Sequence, residues 1–418
     1  MSSIRAWQKL SNRTEPFQYT VWTEFTPLAI KNQAVNLGQG FPGFKCPDFV
    51  KQALADATNA DENQYARSQG FLPLVQEIAR VYGRKHNREI NPLTEVVVTV
   101  GATEGIMSSF LGMIDEGDEV VIIEPSFDCY IPAIIMNGGK PVGVPLIPPQ
   151  PGETLWNIDF ERLESAFNER TRVFMINTPH NPIGKVFSRQ ELERIAAILN
   201  KWPNVAIISD EVYEYVIFDD REHLSIADFS NLWERTVTLS SAGKIFSITG
   251  WKTGWAVGGP YVIKKIATSH LWNPYCSNTP CQGAVARCLR IADEPYNGFP
   301  NYYLWLRNEY SRKREILYNL LKNAKTLNLD PIMPEGGFFL CARVDPSVID
   351  RSYLETATPD FAFSRWLTEQ IKICTIPCSA FYLPEHKQDG ENLVRFALCK
   401  DYSDYEAAAK ILINDNSS

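Results

Sequence analysis

No apolar run in this chain approaches the roughly 20 residues that a membrane-spanning helix needs. There is no block of lysine and arginine either. The 41 basic and 49 acidic residues leave a formal net charge of −8, which argues against nucleic acid or an anionic membrane as a partner. None of the nine cysteines forms a Cys-x-x-Cys pair, and no Cys/His cluster has the spacing of a zinc site. Cys276, Cys281 and Cys288 are close in sequence, but buried free thiols account for them better than a metal does. No metal is therefore expected, and a reducing compartment is. Internal repeats and low-complexity linkers are absent as well. What remains is an ordinary globular composition, 44% hydrophobic and 22% charged over 418 residues. That length suits two packed units, because single cores stop growing near ~250–300 residues.

Arg5, Lys9 and Arg13 are the only charges before Glu15, and Ile4, Trp7 and Leu10 recur at helical spacing. A short organelle-targeting helix, mitochondrial in type, is one reading. An N-terminal arm of a cytoplasmic protein is the other. The arm is preferred, because chemically useful residues begin soon after, at Trp22 and Gly38.

The middle of the chain alternates β-branched runs with helical stretches: Val96 to Val100, Val120 to Pro125, Val173 to Asn177, Val205 to Asp210 and Thr236 to Ser240. Continuous apolar strands separated by helices predict an α/β fold with a mostly parallel sheet covered on both faces. Ligands bind beyond the carboxyl ends of such strands, where Gly101, Asn177, Asp210 and Ser240 fall. After Pro300 the pattern predicts one long helix from Tyr302 to Leu327. The strand-like run GGFFLCARV, a helix near Phe361 to Gln370, strand-like IKICTIP and LVRFALC, and a helix near Tyr405 to Ile413 follow. This mixed order reads as a smaller α+β unit.

Four residue types then line up in chain order. Asn181 lies in NTPHNPIGK, Asp210 ends an apolar run with Tyr213 three residues on, and Lys244 lies in SSAGKIFSITGWKTGW. A lysine amine can condense with an aldehyde, and small neighbours let a cofactor approach its backbone. A solvated surface lysine is the bland alternative. Asp210 at a strand end would be a semi-buried acid in need of a cation, such as a protonated pyridine nitrogen, or else a helix N-cap. Tyr213 and Asn181 could both hydrogen-bond a phenolic oxygen, or Tyr213 could be core packing. Together they are the parts that hold pyridoxal phosphate and use it as an electron sink.

A phosphate dianion would suit the backbone amides of Gly101, Ala102 and Thr103, where a strand opens into a helix. Ser241 and Lys252 could add a hydroxyl and a cation. Phe127, in EPSFDCY, could stack on a ring or simply be core. Arg395 stands inside an apolar run, ENLVRFALCK. A buried guanidinium calls for a bidentate anion, a substrate carboxylate or an internal salt bridge.

With these residues in view, the sequence resembles the fold-type I pyridoxal-phosphate aminotransferases. Within them it is similar to the group of kynurenine aminotransferases, also known as glutamine transaminase K and cysteine-S-conjugate β-lyase. The runs that carry the resemblance are collinear over nearly the whole chain: NLGQGFP (Asn36 to Pro42), NQYARSQGFLPL (Asn63 to Leu74), VTVGATEG (Val98 to Gly105), DEGDEVVIIEPSFDCY (Asp115 to Tyr130), NTPHNPIGKVFSRQEL (Asn177 to Leu192), SDEVYE (Ser209 to Glu214), SAGKIFSITGWKTGW (Ser241 to Trp255) and VRFALCKD (Val394 to Asp401).

The resemblance implies a large domain with a mostly parallel seven-stranded sheet over residues 46–300. It implies a smaller α+β domain over 301–418, with residues 1–45 as an N-terminal arm and part of that small domain. It also implies roles: Lys244 to carry pyridoxal 5'-phosphate, Asp210 for the ring nitrogen, and Asn181 and Tyr213 for the phenolic oxygen. Asn177 would support Asn181 and the substrate carboxylate, Asn181 would bind substrate as well as cofactor, Arg395 would grip the substrate carboxylate beside Gly38, and Trp22 would wall the side-chain pocket. In a homodimer with shared sites, Tyr65 would reach the partner's phosphate and Tyr275 would close the partner's pocket. Two departures concern side-chain preference: Thr103 stands where animal members often have tyrosine, and Cys276 where some have histidine. The expected reaction is transamination of kynurenine, or of another aromatic or sulfur-containing amino acid or glutamine, with a 2-oxo acid. Carbon–sulfur β-lyase or general aromatic aminotransferase activity is the rival enzyme reading. A cofactor-sensing regulator would need a DNA-binding module that the short stretch before Trp22 cannot supply.

Overall fold

The computed structural model describes residues 11–415. Of the basic, helically spaced N-terminal residues, Ile4, Arg5, Trp7, Lys9 and Leu10 lie outside that range. The main sheet has seven strands: β1 (Val96–Val100), β2 (Glu119–Glu124), β3 (Lys140–Pro145), β4 (Thr171–Asn177), β5 (Ala206–Asp210), β6 (Thr236–Ser241) and β7 (Thr253–Gly258). Their order across the sheet is β1-β7-β6-β5-β4-β2-β3. The neighbours β6–β5, β5–β4, β4–β2 and β2–β3 pair parallel, and β7 runs antiparallel to both β1 and β6.

Five of these strands were legible as apolar runs because they are buried on both faces, as Glu119–Glu124 is throughout. The other two were not. β3 is the sheet edge, carries two prolines and is mostly half-exposed, which suits an edge strand. β7 lies inside the glycine- and tryptophan-bearing run that reads first as site chemistry.

A second, four-stranded antiparallel sheet follows: β8 (Asp330–Ile332), β9 (Phe339–Arg343), β10 (Ile376–Pro377) and β11 (Leu393–Ala397), in the order β10-β11-β9-β8. Val35–Asn36 pairs parallel with Ile373–Cys374. The helix Val21–Lys31 is started by a Thr20/Thr23 capping box. It buries Val21, Phe25 and Ala29, one turn apart, against Cys374, Ile376 and Phe381. Val21 and Phe25 each contribute roughly 1.5–3 kcal/mol, so this early segment is held on the late one and Trp22 is carried to the mouth of the site.

Three expectations need correction. The long helix is Tyr302–Lys322, and Lys325–Leu327 is a separate 3₁₀ turn closed by left-handed Asn328. The helix near 361–370 starts at Pro359 and changes to a π turn over Leu367–Ile371, ended by Lys372 at φ 67°. Cys288 is buried as expected, but Cys276 and Cys281 are only half-buried. The last helix runs Tyr402–Asp415.

Candidate active site

Strand ends converge on a cavity of about 320 Å³. β4 delivers Asn177, β5 Asp210, β6 Ser241, and β1 runs directly into the helix Gly101–Met113. Asp210 is 3% exposed. Its Oδ2 accepts from Tyr130 Oη at 2.6 Å and its Oδ1 from Val212 N at 3.3 Å. A turn rather than a helix follows Asp210, so the helix N-cap alternative is set aside, and among the described residues no cation forms an ion pair with the acid. Burial pushes its pKa up to about 6, against the pull of these two bonds and of Lys244.

Lys244 sits on the short helix Ala242–Ile245, whose start is capped by Ser241 Oγ accepting from Gly243 N. Its Nζ donates to Gly40 O at 3.1 Å and stands over the rings of Tyr213 and Phe338. By surface area Lys244 is half-buried, but these contacts hold its amine inside the cavity and set the solvated surface lysine aside. Desolvation lowers its pKa to about 8. Tyr213 is buried beside it, and burial raises its phenol.

A relay links the two halves of the cavity. Asn177 Nδ2 donates to Asp210 O at 2.8 Å, and Asn177 Oδ1 accepts from Asn181 N at 2.6 Å. Asn181 Oδ1 in turn accepts from Arg395 Nη1 at 2.9 Å. Arg395 Nη2 donates to Gly38 O at 3.0 Å. Arg395 is 1% exposed, and its Nε has no partner. Among the described residues no carboxylate pairs with it, so the internal salt bridge is set aside. Instead its guanidinium carbon lies 3.8 Å from the Phe339 ring centroid, 4.8 Å from Phe381 and 5.2 Å from Trp22, and desolvation lowers its pKa.

Gly101, Ala102 and Thr103 line the opposite end with Ser241 and Lys252. Gly101 has φ 69°, and a Cβ there would meet Lys252 Nζ at 3.0 Å. The left-handed φ favours glycine at this turn, and the missing side chain leaves room for a cation beside a helix N-terminus. Phe127 also lines the cavity, edge-to-face with Tyr130.

Three expected residues are not in this lining. Gly38 contributes a carbonyl to Arg395, while Gln39, Gly40 and Phe41 face the cavity in its place. Tyr65 and Tyr275 are 83% and 48% exposed and pack edge-to-face on the surface, with centroids 5.3 Å apart. Several lining residues were missed, Tyr130, Ile106, Val212, Thr249 and Phe339 among them. Tyr130 follows Phe127 by three residues at a helix start, a spacing that could have signalled it.

These residues fit pyridoxal phosphate. An aldehyde would meet the partly deprotonated Lys244 amine, a pyridinium would supply the cation that buried Asp210 lacks, and a phosphate dianion would meet the Gly101 turn with Lys252 beside it.

Residues 32–412 match the family described as aminotransferase class I and II. Kynurenine--oxoglutarate transaminase of Dictyostelium discoideum is 42% identical, over 94% of this chain and 93% of that protein. Among solved structures, Bna3p of Saccharomyces cerevisiae has a TM-score of 0.89 at 35% identity, covering 96% of this chain and 98% of that one. N-succinyldiaminopimelate aminotransferase of Mycobacterium tuberculosis has a TM-score of 0.86 at 37% identity, covering 96% and 99%. The chain belongs to the aminotransferase class I and II family and is a pyridoxal-phosphate-dependent aminotransferase.

Proposed function

We propose that the chain moves the α-amino group of kynurenine to a 2-oxo acid, and acts similarly on other aromatic or sulfur-containing amino acids and glutamine. Kynurenine then yields kynurenic acid after ring closure. The observation that carries this reading is the substrate end of the cavity. Besides Lys244 and Lys252, Arg395 is the cavity's one cation among the described lining residues, and the rings of Trp22, Phe339 and Phe381 lie against its guanidinium. One carboxylate can be paired there. A second, on the side chain, would be buried without a partner, at a cost of several kcal/mol.

When bound, the cofactor's ring withdraws electrons from the substrate α-carbon and makes its proton acidic. In this reading Asp210 holds the ring nitrogen protonated. Asn181, whose Oδ1 is engaged by Arg395, offers its amide nitrogen to the phenolic oxygen together with Tyr213. Phe127 covers one ring face. The Gly101–Thr103 amides, Ser241 and Lys252 hold the phosphate. Arg395 grips the substrate carboxylate beside Gly38, and Trp22 walls the side chain. Lys244 Nζ, a fair fraction neutral near pH 8, takes the proton from the substrate Cα and later returns one.

The active unit is taken to be a homodimer. The exposure of Tyr65 and Tyr275 supports giving each to the partner's site rather than its own. The chain divides into an arm to residue 45, a cofactor-binding domain over 46–300 and a smaller domain over 301–418. The pairing of Val35–Asn36 with Ile373–Cys374 supports joining the arm to the last. A donor screen with pyruvate and 2-oxoglutarate, following keto-acid products, tests the reading. Kynurenine, phenylalanine, methionine or glutamine should outrank aspartate. Aspartate with the highest specificity constant and kynurenine inert would overturn it.

A further inference from the structure

Trp22 and Asp128 are 106 residues apart in sequence, yet the indole Nε1 donates to Asp128 Oδ2 at 2.5 Å. Trp22 is in the first turn of helix Val21–Lys31, and Asp128 is in the turn between β2 and helix Tyr130–Met136, directly after Phe127. The face of the same indole meets Arg395, 5.2 Å from its guanidinium carbon. The helix itself is fixed by the buried side chains of Val21, Phe25 and Ala29. Trp22 is only half-buried, so packing alone leaves its ring freedom that the hydrogen bond removes. Among the described residues no lysine or arginine forms an ion pair with Asp128, and the carboxylate has the indole as its side-chain partner.

We propose that Asp128 is a positioning residue for substrate selection. It holds the Trp22 indole in place, both as the wall that receives the substrate side chain and as the face on which the Arg395 guanidinium rests. The two contacts reinforce each other. A carboxylate accepting from the indole N–H is a charge-assisted bond. It shifts electron density onto the ring, and an electron-rich ring face attracts a cation more strongly. Large flat or thioether side chains reach this wall and feel its position, whereas a methyl side chain does not. The proposal rests on the reading of Arg395 as the carboxylate site and Trp22 as the side-chain wall.

Steady-state kinetics of the holoenzyme with phenylalanine and alanine as donors test it. Asp128→Ala should lower the phenylalanine-to-alanine ratio of kcat/KM by about tenfold, chiefly through KM for phenylalanine. Asp128→Asn keeps an acceptor oxygen without the charge and should regain most of that loss. Trp22→Phe keeps a ring but removes the donor, so adding Asp128→Ala to it should cost less than about twofold more. A ratio that Asp128→Ala moves by less than about twofold, or full additivity in the double variant, overturns the proposal. If Asp128→Ala does not fold, Asp128→Leu, similar in shape but without an acceptor, takes its place in the cycle with Trp22→Phe. A wild-type enzyme active on phenylalanine but inert to kynurenine would sink the substrate reading and leave this cycle legible.

Discussion

Asp210 and Lys244 reach the cavity from the ends of neighbouring strands of one sheet, β5 and β6. Arg395 and Trp22 reach it from a strand of the other sheet and from the first helix, and Arg395 is tied to Gly38, 357 residues away in sequence. The cofactor half is thus set by local register within a doubly buried sheet. The substrate half depends on how the two ends of the chain pack on each other. Chemistry and selectivity are built on different supports, and they should fail separately.

Lys244→Ala should have the largest effect. On the proposed roles it removes the amine that condenses with the cofactor and moves the α-proton, so turnover should fall by at least about a thousandfold. The check is keto-acid formation by the purified variant, together with its visible absorbance. Transamination near the wild-type rate would remove Lys244 from the chemistry.

Arg395→Ala strikes the other half. Losing a charge-assisted pair costs ~1.5–3 kcal/mol, roughly tenfold to a hundredfold in kcat/KM for amino acid donors. The cofactor spectrum should change little, because Arg395 touches the cofactor half only through Asn181. A large spectral change with unaltered kinetics would reverse the division of labour.

Tyr65 belongs to neither half of its own chain. Tyr65→Phe should weaken cofactor affinity about tenfold in the homodimer by removing one phosphate contact. In the proposed homodimer, a hybrid of Tyr65→Phe with Lys244→Ala chains would have one site with an intact Lys244, and that site would draw its Tyr65 from the Lys244→Ala chain. Titration of that site should look like wild type. If it shows the weakened affinity instead, Tyr65 serves its own subunit.

The same contrast explains what was legible in the sequence. Asp210 ends an apolar run, Asn181 and Lys244 follow the ends of two others by four residues, and the topology of a parallel sheet brings such ends together whatever the side chains beyond them. Tyr130 and Phe339 gain their roles only from tertiary packing, as does Asp128, which meets Trp22 across 106 residues. The three-residue spacing of Phe127 and Tyr130 could place both on one side of a helix start, but it does not say that Tyr130 meets Asp210, 80 residues on. β3 was hidden by its prolines and β7 by its glycine and tryptophan content. The π turn at Leu367–Ile371 has no pattern in a hydrophobic period. Tyr65 and Tyr275 were expected to act outside their own cavity through family resemblance, not through any local signal.

The smallest effect expected is on stability. Lys244 is held for chemistry in a place where burial favours its neutral form, with its pKa lowered from 10.5 to about 8. The unfolded chain binds the proton more tightly, so the lysine opposes folding wherever it is charged. The penalty is fully present below about pH 8 and fades as pH rises toward the unfolded value near 10.5. It amounts to at most ~3 kcal/mol. In cofactor-free protein, Lys244→Met should therefore melt a few degrees higher than wild type at pH 7. By about pH 10 roughly three-quarters of the gap should be gone. The comparison needs thermal melts of both proteins at each pH, so that alkaline effects shared by the two cancel. Arg395→Met gives the contrast: its guanidinium stays charged across this range, so whatever gap it shows should not close. A Lys244→Met gap that is constant with pH would mean that the lysine is not held in its neutral-favouring place, and that the amine at the heart of the cofactor half is more hydrated than its burial implies.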